Sequence, residues 1–299
     1  MDGPLEVIFF FGKVVNKETI FLILRKDYKM KPSLKEFCQK FNISESEIVK
    51  KKCFSEFEQL RMIKKNWKNL EYIENPSEEV KIAAVKQDTD AIQCIENPSE
   101  AIQLAAVNKN GNAIEHIKNP SEEVQLAAVN KDGHAIQYIK NPSEEVQLAA
   151  VNKNGYAIQH IKNPSEEVQL AAVKKYPESI QFIENPSEEV QLAAVSQDGW
   201  VIRFIKSTFE EVKLICVKQN GYIIQHIENP SEEIKISAVS RDGWAIKHIE
   251  NPSEVVQLAA VKEDGNAIQF IKNPSEAIME EAIRQNKASF KYFKNEWFK

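Results

Sequence analysis

Histidine is the side chain best suited to bind a metal or transfer a proton, and four of the five histidines occupy one position of an internal repeat. They are His116, His160, His226 and His248. His226 and His248 stand one repeat apart, so a pair of zinc ligands is conceivable. The same position in other repeats holds Cys94, Tyr138, Phe182, Phe204 and Phe270. A position that accepts phenylalanine favours the packing of a flat ring, and we expect no metal there.

A second repeat position carries aromatic side chains that are candidates for binding a partner. It holds His134, Tyr156, Trp200, Tyr222 and Trp244, and also Asp90, Asn112 and Asn266. Because burying an unpaired Asn or Asp is costly, this position is predicted to be partly exposed. Trp and Tyr are enriched among residues that dominate binding. The predicted partner-binding residues are therefore Trp200, Tyr222, Trp244, Tyr156, His134, His226 and His248. The alternative is that the rings only fill the groove between repeats.

No enzyme motif accompanies these positions. The sequence contains no P-loop, no dinucleotide fingerprint and no arrangement typical of a Ser-His-Asp set. We therefore expect a protein without catalytic activity and without a cofactor.

The repeat that sets these spacings begins with Asn-Pro-Ser. It starts at Asn75 and recurs every 22 residues, except that Ser207 begins a degenerate copy between Asn185 and Asn229. A strict period of this length indicates a repeat architecture. Residues 53–294 are predicted to form about eleven units, of which 53–74 and 273–294 are degenerate capping units. Residues 295–299 are left as a tail.

Each repeat is predicted to contain two short α-helices. In the copy that starts at Asn141, this residue is the expected N-cap and Pro142 the expected first helical residue. The helix is predicted to end near Lys153, with Gly155 in the left-handed conformation that closes many helices. A second α-helix is predicted over residues 156–162.

Such short helices must be held by their neighbours, because isolated ones are unstable in water. The first helix has apolar residues on two sides: Val146, Ala149 and Ala150 on one, and Leu148 and Val151 on the other. We expect it to be sandwiched between adjacent repeats, with the second helix outside. Stacked repeats of this kind form an all-α solenoid.

Residues 1–52 do not repeat and are predicted to form a small α+β domain. Apolar runs at 7–11 and 20–24 predict a β-hairpin with its turn at 16–18. Residues 33–52 resemble a helix-turn-helix, since Ser33 with Glu36 and Ser44 with Glu47 are capping-box pairs. Because Glu45 and Glu47 would face the phosphates, a domain that caps the first repeat is favoured over DNA binding.

The repeat pattern V-x-L-A-A-V-x-x-[ND]-G-x-A-[IL]-Q resembles the helical repeats of unknown function that are abundant in proteins of giant viruses of amoebae. The resemblance covers residues 75–272 well and the flanking units weakly. It implies an α-helical repeat protein of viral origin and no particular substrate.

Composition sets the remaining expectations. The net charge of −5 argues against a protein that coats nucleic acid. Four scattered cysteines fit a reducing compartment, and no basic leader or membrane-spanning apolar run is present. We expect an intracellular protein, in the host cytoplasm or a viral factory, that is not secreted. The predicted function is a non-catalytic scaffold that binds a host or viral protein partner through the surface of the second helices and does not bind membranes. The alternative is a nucleic-acid-binding protein that uses residues 33–52 and the aromatic residues.

Overall fold

The computed structural model describes residues 8–10, 13–15 and 55–292. In the repeat region, each repeat contributes one ten-residue α-helix followed by one six-residue 3-10 helix. The α-helices are α1 (Glu56–Lys65), α2 (Glu78–Gln87), α3 (Glu100–Lys109), α4 (Glu122–Lys131), α5 (Glu144–Lys153), α6 (Glu166–Lys175), α7 (Glu188–Gln197), α8 (Glu210–Gln219), α9 (Glu232–Arg241), α10 (Glu254–Glu263) and α11 (Glu276–Gln285). The 3-10 helices are η1 (Trp67–Tyr72), η2 (Thr89–Cys94), η3 (Gly111–His116), η4 (Gly133–Tyr138), η5 (Gly155–His160), η6 (Pro177–Phe182), η7 (Gly199–Phe204), η8 (Gly221–His226), η9 (Gly243–His248), η10 (Gly265–Phe270) and η11 (Lys287–Tyr292).

The repeats stack in chain order into two layers. Helix α5, for example, packs against α4 and α6 and against the 3-10 helices η4 and η5, and the other inner repeats follow the same pattern. One layer consists of α-helices and the other of 3-10 helices. The predicted helical solenoid of about eleven repeats is therefore confirmed for the described residues.

The start of each α-helix differs from the prediction. Ser143, and not Asn141, is the N-cap of α5, because its Oγ accepts a hydrogen bond from the backbone N–H of Val146 at 3.3 Å. Pro142 therefore precedes the helix, and Glu144 is its first residue. Asn141 instead adopts the left-handed conformation, with φ at 51°. Asparagine tolerates this conformation better than most residues, which explains why it precedes the proline.

The predicted end of the helix at Lys153 is confirmed, but the role predicted for Gly155 is wrong. The C-cap is Asn154, in an extended conformation, and Gly155 is the first residue of η5. None of the seven glycines at this repeat position has a left-handed φ. Glycine is favoured here because a β-carbon on Gly155 would stand 2.7 Å from the carbonyl oxygen of Ala172 in the next repeat.

The second helix is a 3-10 helix and not an α-helix. Asn154 caps it through its Oδ1, which accepts from the N–H of Tyr156 at 3.1 Å. The N–H groups of Ala157 and Ile161 donate to carbonyls three residues earlier, as in 3-10 geometry. Only six residues lie between this cap and Ile161, which leaves no room for two full α-helical turns.

The core lies between the two layers. From the repeat that starts at Asn141 it contains Val146, Ala150 and Val151 of α5 and Ala157 and Ile158 of η5, all of which are buried. The predicted sandwiching of the first helix between adjacent repeats is confirmed by its contacts. Its remaining apolar residues, Leu148 and Ala149, are only half-buried on the outer side of the helix layer.

Serine also links successive repeats, which the sequence analysis did not predict. The Ser143 hydroxyl donates to the carboxylate of Glu122, the first residue of the preceding α-helix. The same bond recurs in the pairs Ser77–Glu56, Ser99–Glu78, Ser121–Glu100, Ser165–Glu144, Ser187–Glu166, Ser253–Glu232 and Ser275–Glu254. At the degenerate copy Phe209 takes the cap position of α8 and makes no side-chain cap bond.

At the N-terminus, strand β1 (Ile8–Phe10) pairs antiparallel with β2 (Lys13–Val15). The first predicted strand is thus present, but its partner is nearer in sequence than the predicted run at 20–24. That run, the helix-turn-helix-like segment 33–52 and the tail 295–299 lie outside the described residues. Within the described residues, no helix combines the length and apolar character needed to cross a bilayer.

Candidate functional site

The candidate site lies on the 3-10 layer, where the cap of the helix places each ring except that of Trp244, because Asp242 at the start of η9 makes no side-chain cap hydrogen bond. Asp198 accepts a hydrogen bond from the N–H of Trp200 at 2.9 Å, and Asn220 does the same for Tyr222. This bond holds the residue that follows the glycine in the first turn of the 3-10 helix. We call the rings at this position the first row: His134, Tyr156, Trp200, Tyr222 and Trp244.

Each first-row ring packs against a ring in the following repeat. Trp200 meets His226 edge to face, with ring centroids 5.7 Å apart. Tyr222 meets His248 at 6.0 Å, and Trp244 meets Phe270 at 5.3 Å. We call the rings at this later position the second row: His160, Phe182, His226, His248 and Phe270. The two rows together are the aromatic surface, a staggered double row that runs across repeats.

The double row also includes the predicted partner-binding residues of the repeats nearer the N-terminus, His134 and Tyr156. His134 packs edge to face on His160 at 5.6 Å, and its Nε2 lies 2.9 Å from Nδ2 of Asn154. Tyr156 meets Phe182 at 6.1 Å and stacks on Tyr176 at 5.2 Å. Tyr176 was missed by sequence reasoning. The signal available was its replacement of the usual Asn or Asp before η6.

These rings remain accessible to different degrees. Trp200, Tyr222, Tyr156, His134 and His248 are half-buried, and His226 is exposed. Trp244 is 36% exposed, the most open of the three consecutive large rings. The predicted partial exposure of this repeat position is therefore found in the structure, although each ring also contacts a neighbour.

A groove opens beside Trp244, with a volume of about 510 Å³. Tyr222 and Trp244 line it together with Arg241, Asp242, Glu263 and Asp264. Three carboxylates therefore accompany a single guanidinium group. The indole N–H of Trp244 donates to Oδ2 of Asp264 at 2.6 Å, which fixes the orientation of the ring.

A further cation and two histidines define the electrostatics of this surface. The Lys247 ammonium lies 5.0 Å from the centre of the Tyr222 ring, within the range of a cation–π contact. Burial, the positive charge of Lys247 and the neighbouring His226 lower the pKa of His248. Burial and His134 likewise lower the pKa of His160. Both imidazoles therefore favour the neutral form, which suits ring packing.

Two observations concern metal binding and thiol reactivity in the described residues. No group of three or more His, Cys, Asp or Glu side chains in residues 55–292 is placed to hold a metal ion. Cys216 is buried among the repeats, and burial raises the pKa of its thiol to about 12. A thiol that stays protonated is a poor nucleophile.

Comparison with known protein families, curated proteins and solved structures gives no match. The geometry of the site is a row of partly exposed rings beside an acidic groove, on a stack of repeats.

Proposed function

We propose that this protein is a non-catalytic scaffold that binds a protein partner through the aromatic surface. The observation that carries the proposal is that Trp200, Tyr222 and Trp244 occupy a position where the same fold also accepts Asn112 and Asn266. Because the fold does not require rings at this position, their presence in three consecutive repeats points to a role beyond folding. Large, half-exposed aromatic side chains are the kind that dominate protein interfaces.

A protein partner is favoured over nucleic acid by the charge of the groove. Asp242, Glu263 and Asp264 surround Trp244, and Arg241 is the only cation among the residues that line the groove. Nucleic-acid binding depends on cations that neutralise phosphates, so this groove would repel a polynucleotide. The origin in a giant virus, which the repeat pattern implies by resemblance, stays part of this proposal.

The experiment compares two triple variants of the full chain. In the first, Trp200, Tyr222 and Trp244 are each replaced by Asn, which the fold accepts at this position. In the control, three exposed rings that belong to none of the ring pairs of the first row are replaced by Asn: Phe57, Tyr138 and Tyr292. A tagged chain recovers partners from cells that express it, and mass spectrometry identifies them.

We expect the control to retain a protein that the aromatic-surface variant loses. If both variants retain the same proteins, the aromatic surface is not the binding site. A mobility-shift assay with single- and double-stranded DNA and RNA tests the alternative directly. A shift of the unmodified chain that disappears in the aromatic-surface variant would replace the protein partner with a nucleic acid.

A further inference from the structure

A second surface, on the layer of α-helices, is unrelated to the aromatic rows. Its centre is a line of half-buried leucine and isoleucine side chains, one from each of ten successive repeats. They are Leu60, Ile82, Leu104, Leu126, Leu148, Leu170, Leu192, Leu214, Ile236 and Leu258. We call this line the leucine stripe. In the eleventh repeat the equivalent residue is Glu280, which is exposed, so the stripe ends where the chain places a charge.

Two rows of opposite charge border the stripe. Towards the N-terminal ends of the helices lies an exposed acidic row: Glu79, Glu123, Glu145, Glu167, Glu189, Glu211 and Glu233. Towards the C-terminal ends lies an exposed basic row: Lys64, Lys86, Lys174, Lys218 and Lys262. Where the basic row lacks lysine it has Asn or Ser, for example Asn130 and Asn152. The two rows are seven residues apart along each helix, which corresponds to roughly 10 Å.

The stripe is open to a partner between neighbouring helices. Leu148 and Leu170 line a groove between α5 and α6 that has a volume of about 520 Å³. Glu167 and Lys174 stand at its two sides. Leucine and isoleucine side chains that are half-buried in ten successive repeats form an extended apolar surface, which is typical of an interface.

We propose that the leucine stripe is a dimer interface and that its occupant is a second copy of this chain. A two-fold axis that runs along the stripe turns one copy over, so that the acidic row of each chain faces the basic row of the other. The repeats that contain Glu79 and Lys86, Glu167 and Lys174, and Glu211 and Lys218 then face their own counterparts. An axis perpendicular to the stripe would place like charges opposite each other, and the charge pattern disfavours it.

The available area is sufficient for a stable pair. Ten helices stacked about 9 Å apart give a stripe roughly 90 Å long, and the distance between the charged rows makes it roughly 10 Å wide. Each chain would bury about 900 Å², against the ~800 Å² per partner of a standard interface.

The first test is the mass of the full chain in solution, measured by light scattering and sedimentation equilibrium at low and high salt. We expect a dimer at low salt whose dissociation constant weakens at least tenfold at high salt, because the flanking rows are exposed to screening. A monomer at low salt at all concentrations would overturn the proposal.

The second test introduces charge into the stripe, as Glu280 does naturally. The variant L126E/L148E/L170E is expected to be monomeric. Its matched control, Q137E/Q159E/Q181E, adds the same three charges in the same three repeats on the 3-10 layer. Glu115 shows that the fold accepts a carboxylate at that control position. The control should remain a dimer, and circular dichroism should show both variants folded. A stripe variant that stays dimeric would contradict the proposal.

Charge reversal tests the direction of pairing without touching the leucines. Replacing Glu79, Glu167 and Glu211 by Lys places cations opposite the basic row, so dimerisation should weaken at least tenfold. Adding the changes of Lys86, Lys174 and Lys218 to Glu in the same chain restores opposite charges and should restore the dimer. If the Glu-to-Lys variant dimerises more weakly but the combined variant does not recover the dimer, the proposed two-fold axis is excluded. No effect of either change would exclude the charged rows from the interface.

Discussion

Gly155 lies so close to Ala172 of the next repeat that a β-carbon on the glycine would stand 2.7 Å from the alanine carbonyl oxygen. The equivalent contacts of Gly111, Gly133, Gly243 and Gly265 are 2.4 to 2.6 Å. These five repeats therefore approach the next one through backbone atoms at this point. The glycines favour this close stacking and do not serve a left-handed turn.

Replacing Gly155 by Val should destabilise the protein by about 1–3 kcal/mol, the usual cost of overpacking a close contact. Chemical denaturation with circular dichroism measures the change. Thr89 and Pro177 occupy the same repeat position, so the neighbouring repeat can yield, and we expect loss of stability without loss of fold. Lys287→Ala is the control, because the described residues place no further repeat against η11. An equal loss of stability in both variants would show that stacking is not the cause.

The left-handed residue of the repeat is Asn141, with φ at 51°. Asn141→Ala should reduce the free energy of unfolding by about 1 kcal/mol, because alanine disfavours this conformation. Asn141→Gly should be within about 0.5 kcal/mol of the unmodified protein, since glycine adopts it freely. Ser207 stands at the equivalent position of the degenerate copy and is not left-handed, so Ser207→Ala serves as control. An Asn141→Ala variant as stable as this control would contradict the assignment.

The serine cap predicts that one substitution lowers the stability of the protein and that another raises it. Ser143→Ala removes both the cap of Val146 and the bond to Glu122, and should cost about 1 kcal/mol. Phe209→Ser supplies the cap that α8 lacks and should stabilise the protein by about 0.5–1 kcal/mol. Thermal denaturation of the two variants in parallel checks this, and destabilisation by Phe209→Ser would show that the exposed ring matters more than the cap.

The period of the repeat predicted the solenoid, because a strict spacing of apolar residues leaves few ways to bury them. The local assignments were less secure. Asn, Pro and Ser are each compatible with a helix start, but in the structure Ser143 makes the capping hydrogen bond and Asn141 adopts the left-handed conformation. Gly155 has two explanations that the sequence does not distinguish. A glycine suits a left-handed C-cap, and it also suits a position where the next repeat leaves no room for a β-carbon.

The sequence pattern within one repeat does not predict which residues contact each other across repeats. Trp200, for example, contacts His226 of the next repeat, and this pairing depends on how successive repeats stack. The leucine stripe was missed for a related reason. Leu148 was assigned to a side of the helix that packs on a neighbour, and its partial exposure depends on how far apart successive helices stand.

The histidines of the second row predict a pH dependence. The lowered pKa of His160 and of His248 means that the folded protein binds fewer protons than the unfolded chain, in which histidine titrates near 6.5. Their contribution to stability is therefore fully present above about pH 6.5 and is lost as the pH falls through the folded-state pKa.

We expect the melting temperature of the unmodified protein to drop between pH 7.5 and pH 5. The drop should be smaller in the His160→Phe/His248→Phe variant, which lacks both histidines. Phe182 and Phe270 show that the fold accepts phenylalanine at this position. An unchanged pH dependence in the double variant would show that other groups dominate the acid sensitivity.

The central claim is that the aromatic surface binds a protein partner, and the dissociation constant of the purified partner tests it most directly. Isothermal titration is performed with the unmodified chain, with W200N/Y222N/W244N and with the control in which Phe57, Tyr138 and Tyr292 are changed to Asn. Loss of three edge-to-face ring pairs should cost about 1 kcal/mol each, so the first variant should melt earlier yet stay folded at 25 °C. We predict that its dissociation constant is at least 100-fold weaker, while the control is unchanged. Equal affinity in both variants, or a variant that no longer folds, would contradict the claim that these rings are kept for binding.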